Sequence, residues 1–244
     1  MKKYIATAVL LSATALAPAS FAQDKVLGYT VGVDAVTEYV FRGVSLGAES
    51  IQPYAEVSYG NFTAGTWFST GVGSDSVFQG DEVDFYAGYS VPLEGDISLD
   101  IGGTYYYYPQ GGALLQTKGG NAGSYEVSAS VGFGAVPLAP SVTAYYDFTF
   151  EAFTLEGSVG HSFPMADGLS FDLGGTVGLV EPDGGSGYQW AQASAAISKA
   201  VTDSAAIYIG GNFVVNSDDN TLDFKDGYDD DSMFFFGTGI SSSF

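Results

Sequence analysis

The stretch LGYTVGVDAVTEYVFR, Leu27 to Arg42, sets the reading of the whole chain. Its odd positions are Leu27, Tyr29, Val31, Val33, Ala35, Thr37, Tyr39 and Phe41. Its even positions are Gly28, Thr30, Gly32, Asp34, Val36, Glu38, Val40 and Arg42. One face is apolar, and the other is small or charged apart from Val36 and Val40. A period of two is that of a strand whose successive side chains point to opposite faces.

The pattern recurs along the chain. Val83, Phe85, Ala87, Tyr89 and Val91 alternate with Glu82, Asp84, Tyr86, Gly88 and Ser90. Tyr125, Val127, Ala129, Val131 and Phe133 alternate with Glu126, Ser128, Ser130 and Gly132. In all, the alternation predicts twelve strands, over 27–42, 51–59, 62–71, 81–91, 97–108, 124–134, 141–149, 153–163, 169–180, 188–198, 205–216 and 232–244. In the tenth, QWAQASAAIS gives no clean alternation, and a helix is the local alternative.

The connections fall into two classes. After even-numbered strands they are short: Gly60-Asn61, PLEGD, AVPLAP, PMADG and KAVTDS. After odd-numbered strands they are mostly longer and polar, ending with SDDNTLDFKDGYDDD before the last strand; the exception is the short link near Phe150 to Ala152. Short turns at one end and long loops at the other are the layout of a transmembrane antiparallel β-barrel, with the short turns periplasmic and the long loops extracellular. A β-sandwich would also alternate, but it has no reason to sort its aromatics. Here those on the apolar face form two belts. Tyr39, Phe41, Phe68, Phe85, Tyr105, Tyr107, Tyr125, Tyr146, Phe148, Phe153, Phe234 and Phe236 fall near the loop end. Tyr29, Tyr59, Phe62, Tyr89, Phe133, Phe163, Phe171 and Phe244 fall near the turn end. Amphipathic rings prefer the headgroup level on both sides of an apolar band.

Composition agrees. Residues 1–22 read as a cleaved signal peptide: Lys2 and Lys3, an apolar run from Tyr4 to Ala17, then Ser20-Phe21-Ala22 before Gln23. Residues 23–244 are then a single outer-membrane barrel domain of a Gram-negative bacterium. The chain has no cysteine and one histidine, His161, which excludes thiolate metal sites and most histidine chemistry. Its net charge is −21. Loss of Lys2 and Lys3 leaves five basic residues against 28 acidic, a balance that repels nucleic acid. No cofactor is expected.

The same parity assigns the interior. It predicts as pore-lining Arg42, Glu56, Glu82, Asp84, Asp100, Glu126, Asp147, Glu156 and Asp172, with Glu38 beside them. Unpaired carboxylates are too costly in a dry interior, so the acids imply water and counter-ions. Rings of Asp and Glu favour cations. The competing reading is a lumen occluded by inward Trp67, Tyr86, Tyr106, Tyr108 and Tyr145. His161 maps to the lipid face beside Phe163, away from any rim where a barrel lipase or protease would place its machinery, so no enzyme is expected. The loop 217–231 misses the calcium-loop spacing, since Leu222 and Phe224 fall on ligand positions.

One segment carries a family signature. TEYVFRGVS, 37–45, together with YGNFTAGTWFS, 59–69, resembles the TorF family of porin-like proteobacterial outer-membrane proteins. Such proteins show YVFRG-x-S near the mature N-terminus, then a strand with Pro and Gln, which here reads IQPYAEVSYG with an altered order. The resemblance implies a porin and supplies no substrate or catalytic residue. Two roles are open for Arg42: pairing with Glu38 or Glu82 to pin the first loop, or setting a charge contrast at a constriction. The resulting expectation is a cation-preferring channel for small hydrophilic solutes. The alternative is a non-conducting barrel that binds at the surface through its acidic loops. The expected partners are outer-membrane lipids and lipopolysaccharide. The barrel-assembly machinery is a further partner, reading the last strand at Phe244, where the usual aromatic two residues earlier is Ser242.

Overall fold

A computed structural model describes residues 26–73, 80–116, 123–217 and 231–244. The predicted signal peptide and most of the acidic loop 217–231 lie outside them. Fourteen strands follow in order: β1 Leu27–Val36, β2 Tyr39–Phe41, β3 Val44–Gly47, β4 Ser50–Tyr59, β5 Phe62–Gly71, β6 Glu82–Pro92, β7 Ile97–Tyr107, β8 Gly123–Phe133, β9 Ser141–Asp147, β10 Ala152–Pro164, β11 Leu169–Pro182, β12 Tyr188–Ala200, β13 Ala205–Asn216 and β14 Ser232–Ser243. All but β2 and β3 form one closed antiparallel barrel of twelve strands. The seam is β1 against β14, with Val33 opposite Ile240. It is clipped at the turn end by reciprocal bonds: the Tyr29 N–H donates to the Phe244 carbonyl at 3.1 Å, and the Phe244 N–H to the Tyr29 carbonyl at 2.9 Å. The terminal aromatic is thus tied to the first strand. Closure leaves the wall's sheet without an edge strand.

The barrel is inside out. Large apolar side chains face away from the lumen: Val177 is 60% exposed, Ile209 64%, Phe234 69%. The buried polar residues include Gln52, Glu82, Asp84, Glu126, Thr154 and Asn212. A soluble barrel buries the opposite set. His161 lies on the outer face, edge-on to Phe163 with ring centroids 4.5 Å apart.

The tenth predicted segment is a strand, Tyr188–Ala200, paired with β11 and β13, and not the helix that its weak alternation left open. Half of its outward positions are alanine, Ala191, Ala193 and Ala195, which fits a strand's outer face but gives little hydropathy contrast. The first strand does not run to Arg42. It stops at Val36, and the chain turns inward through Thr37 and Glu38 into the hairpin β2–β3. Val36 pairs directly with Ser50, so residues 37–49 are an insertion between two paired residues of the wall. Tyr39 and Phe41 are therefore not in the outer aromatic belt. Tyr39 is only 3% exposed, inside the barrel.

Candidate functional site

The hairpin turn is two residues long, with Phe41 opposite Val44. Its central residues Arg42 and Gly43 both have positive φ, 47° and 79°. That is the geometry of a type I′ turn, whose twist matches the flanking strands. Glycine adopts it freely, while Arg42 does so at a cost that its side-chain contacts must offset. Gly43 is also required sterically. An added Cβ would collide with the Trp190 Cβ and stand 2.8 Å from its Cγ.

Each residue of the hairpin's first arm meets a different part of the wall. The Tyr39 hydroxyl donates to Glu82 Oε2 on β6 at 2.8 Å, and its ring lies 5.4 Å from that of Trp67 on β5. Val40 packs with Val214 of β13 and Phe235 of β14, both nearly inaccessible, with Met233 at the edge. This is the apolar core cluster among the described residues, and it exists because the hairpin brings Val40 to two inward-facing apolar side chains. Phe41 meets Tyr106 of β7 edge-on at 5.9 Å. The Gly43 carbonyl accepts from Asn216 Nδ2 at 2.9 Å. In the second arm, the Ser45 hydroxyl donates to Glu38. The hairpin thus touches β5, β6, β7, β13 and β14, and crosses the lumen.

Arg42 sits at its tip. Nη1 and Nη2 donate to Glu126 Oε2 and Oε1 of β8 at 2.6 and 2.8 Å, a bidentate pair that is more than nine-tenths buried on both sides. The guanidinium carbon lies 4.1 Å from the ring centre of Tyr145 on β9 and 4.7 Å from that of Phe41. Tyr106 also donates to Glu126 Oε1, at 3.2 Å. Burial is the largest single influence and lowers the Arg42 pKa, but the hydrogen bonds to Glu126 and the attraction of Tyr106, Glu126 and Tyr145 together outweigh it and hold the guanidinium above its ordinary value. A fork-to-fork ion pair with its oxygens shared this way is the geometry that can repay desolvation. It also separates like charges, since Glu126 stands directly opposite Asp147 in the ladder.

The carboxylates predicted for the interior sort into three groups. Glu82, Asp84 and Glu126 are buried around the hairpin. Glu56 accepts from the Tyr86 hydroxyl at 3.2 Å and Glu156 from the Ser158 hydroxyl at 3.3 Å; both are half-buried. Nearer the turn end, Asp100 is held by Ser90 and Ser98, and Asp172 by Ser170 and Ser198. Asp147 differs. One of its oxygens accepts the backbone N–H groups of Thr149 and Phe150 at 2.7 and 2.8 Å. That bond caps the short β9–β10 turn and binds the carboxylate to its own loop. Arg42 meets Glu126, not Glu38 or Glu82, which Ser45 and Tyr39 occupy. Two further polar groups lie outside the predicted set: Asp34, whose Oδ1 accepts from the Tyr208 hydroxyl at 2.8 Å, and the amide-bearing wall of β12–β13, where Gln192 Nε2 donates to Asn212 Oδ1 at 2.9 Å. Among the described residues, no cluster of acids and histidine has the spacing of a metal site.

The profile of Gcw_chp, a bacterial protein family of unknown function, matches residues 22–238. The chain belongs to the Gcw_chp family. No curated protein matches its sequence. Among solved structures, it resembles the KdgM porin in complex with disordered oligogalacturonate (TM-score 0.56, 11% identity, 89% of this chain and 99% of that one). It also resembles the NanC porin (TM-score 0.54, 12% identity, 89% and 99%). A third is the COG4313 outer membrane channel from Pseudomonas putida F1 (TM-score 0.50, 10% identity, 93% and 99%). At such identities the likeness establishes the fold: this Gcw_chp protein has the twelve-stranded barrel of outer-membrane channels.

Proposed function

We propose that this Gcw_chp protein is an outer-membrane channel for small hydrophilic solutes, cation-preferring, and not an enzyme. The observation that carries this reading is the charge of the interior. Eight of the nine predicted pore residues are carboxylates, and Arg42 is the one cation among the described residues that turns inward. Acidic walls hold cations and repel anions. The oligogalacturonate of the KdgM complex is a polyanion, which this interior would reject, so its solute is not carried over to this chain. The signal peptide, the TorF-like signature and the exposed apolar exterior support placement in the outer membrane, among its lipids and lipopolysaccharide. Phe244, at the end of the seam strand, supports delivery by the barrel-assembly machinery. One observation favours the second reading, a closed barrel that acts through its surface: the hairpin lies across the lumen.

Planar-bilayer recording of the refolded full chain tests this. The expected result is discrete conductance steps and, in a potassium chloride gradient, a reversal potential of cation sign that shrinks in the Asp100→Asn/Asp172→Asn variant. An absence of steps refutes the channel. An anion-sign reversal potential refutes the preference.

A further inference from the structure

The seat of Arg42 is built by the wall rather than by the hairpin. Glu126 on β8 is held by Tyr106 of β7, and Tyr145 projects from β9 between the strands that carry Glu126 and Glu156. Together they present a fixed carboxylate fork and an aromatic face. These are the two features that recognise a planar, delocalised cation. The occupant in this structure is the chain's own guanidinium, at 2.6 and 2.8 Å from the carboxylate and 4.1 Å from the ring. The hairpin's other anchors do not pass through that group. Tyr39 bonds Glu82, Gly43 bonds Asn216 and Val40 packs on Val214 and Phe235. The hairpin therefore has means to stay docked when the seat is empty.

We propose that Glu126 and Tyr145 form a recognition site for solutes bearing a guanidinium group, and that Arg42 is its resting occupant, displaced when such a solute passes. The route by which a solute reaches the site rests on the channel reading. Arg42 is tethered, so its effective concentration at the seat is at least millimolar and a free solute competes against it. Wild-type protein then binds a simple guanidinium weakly. A variant that empties the seat binds it much better. An alkylammonium fits less well because it lacks the planar fork that meets both carboxylate oxygens.

The test uses methylguanidinium chloride as the probe and saturation-transfer NMR on the refolded full chain in detergent, which reads binding without conduction. Arg42→Ala is expected to bind methylguanidinium about tenfold more tightly than wild type, and methylammonium more weakly than methylguanidinium. Adding Glu126→Gln abolishes the signal, and adding Tyr145→Leu reduces it several-fold. A signal in Arg42→Ala that survives Glu126→Gln, or no signal in the folded Arg42→Ala protein, overturns the proposal. Where Arg42→Ala fails to refold, Arg42→Lys supplies the comparison: it keeps the charge, loses the fork, and should yield the seat to methylguanidinium more readily than wild type. Equal binding by Arg42→Lys and wild type counts against the site. Conductance without methylguanidinium binding sinks the site and spares the channel; binding without conductance does the reverse.

Discussion

Removing the hairpin should open the barrel. Twelve strands about 4.8 Å apart and tilted about 40° enclose a backbone radius of about 12 Å. Inward side chains of ~6 Å leave a bore of about 6 Å radius, or ~110 Å² in section. Two paired strands with their side chains occupy about 10 Å by 10 Å, or ~100 Å². The hairpin therefore fills most of the bore at its level. Its removal leaves the wall intact, because Val36 and Ser50 already pair. Thr37 and Glu49 are worth keeping: the Thr37 N–H and hydroxyl bond Phe236, and the Glu49 carbonyl accepts from Val72. Replacing Glu38–Ala48 by Asn-Gly joins the two strands through the turn that such a register prefers. The free section at that level rises about tenfold while the rest of the bore stays in series, so the expected result, in single-channel recording beside wild type, is a conductance at least about threefold higher. Cation preference should rise too, because Arg42 leaves and Glu126 is exposed to water. A folded deletion variant with unchanged conductance would show that the hairpin is not in the ion path.

Two further outcomes follow from single positions. Gly43→Ala places a Cβ against Trp190 at a residue with φ +79°; left-handed strain of about 1–2 kcal/mol and overpacking of about 1–3 kcal/mol should unseat the tip. Trp190 is one of only two tryptophans, and the other, Trp67, lies tilted against Tyr39, so the loss should appear as a red shift of intrinsic emission; an unshifted spectrum argues against this seating. Ile209→Arg puts a charge on an outward side chain of β13 that is 64% exposed. It should destabilise the barrel in vesicles by about 2–4 kcal/mol in urea unfolding, and a neutral result would mean that this face does not meet lipid.

Most of the barrel was legible in the sequence, for one physical reason. A strand with lipid on one side and water on the other must alternate, so parity alone placed Glu82, Asp84, Glu126 and Asp172 inward and Phe85, Tyr125 and Phe234 outward. Alternation fails where both faces are alike. The alanines of β12 give little contrast, so a helix stays open there until pairing with β11 and β13 settles the strand. Asp147 shows another limit: parity fixes which way a side chain leaves the sheet, not what its oxygens bind once a turn follows within two residues.

The hairpin was hidden by the same signal that revealed the barrel. Tyr39 and Phe41 continue the odd apolar positions of β1 without a break, so the period runs unchanged into an element that no longer belongs to the wall. The contrary signs were few and apolar. Val40 stood on a face that should be polar, and Val214 and Phe235 stood inward near the loop end of β13 and β14. Each alone is an exception of the kind any strand tolerates. Together they are one contact, since Val40 is buried against the other two, and burying all three requires the chain after Val36 to enter the lumen. The Arg42-Gly43 step, at positive φ in both residues, is what lets it turn back there. In the signature YVFRG-x-S, then, Tyr39 bonds Glu82, Val40 fills the apolar gap, Arg42 pairs with Glu126, Gly43 clears Trp190 and Ser45 bonds Glu38. What reads as the end of a membrane strand is a docking peptide for the barrel's own interior.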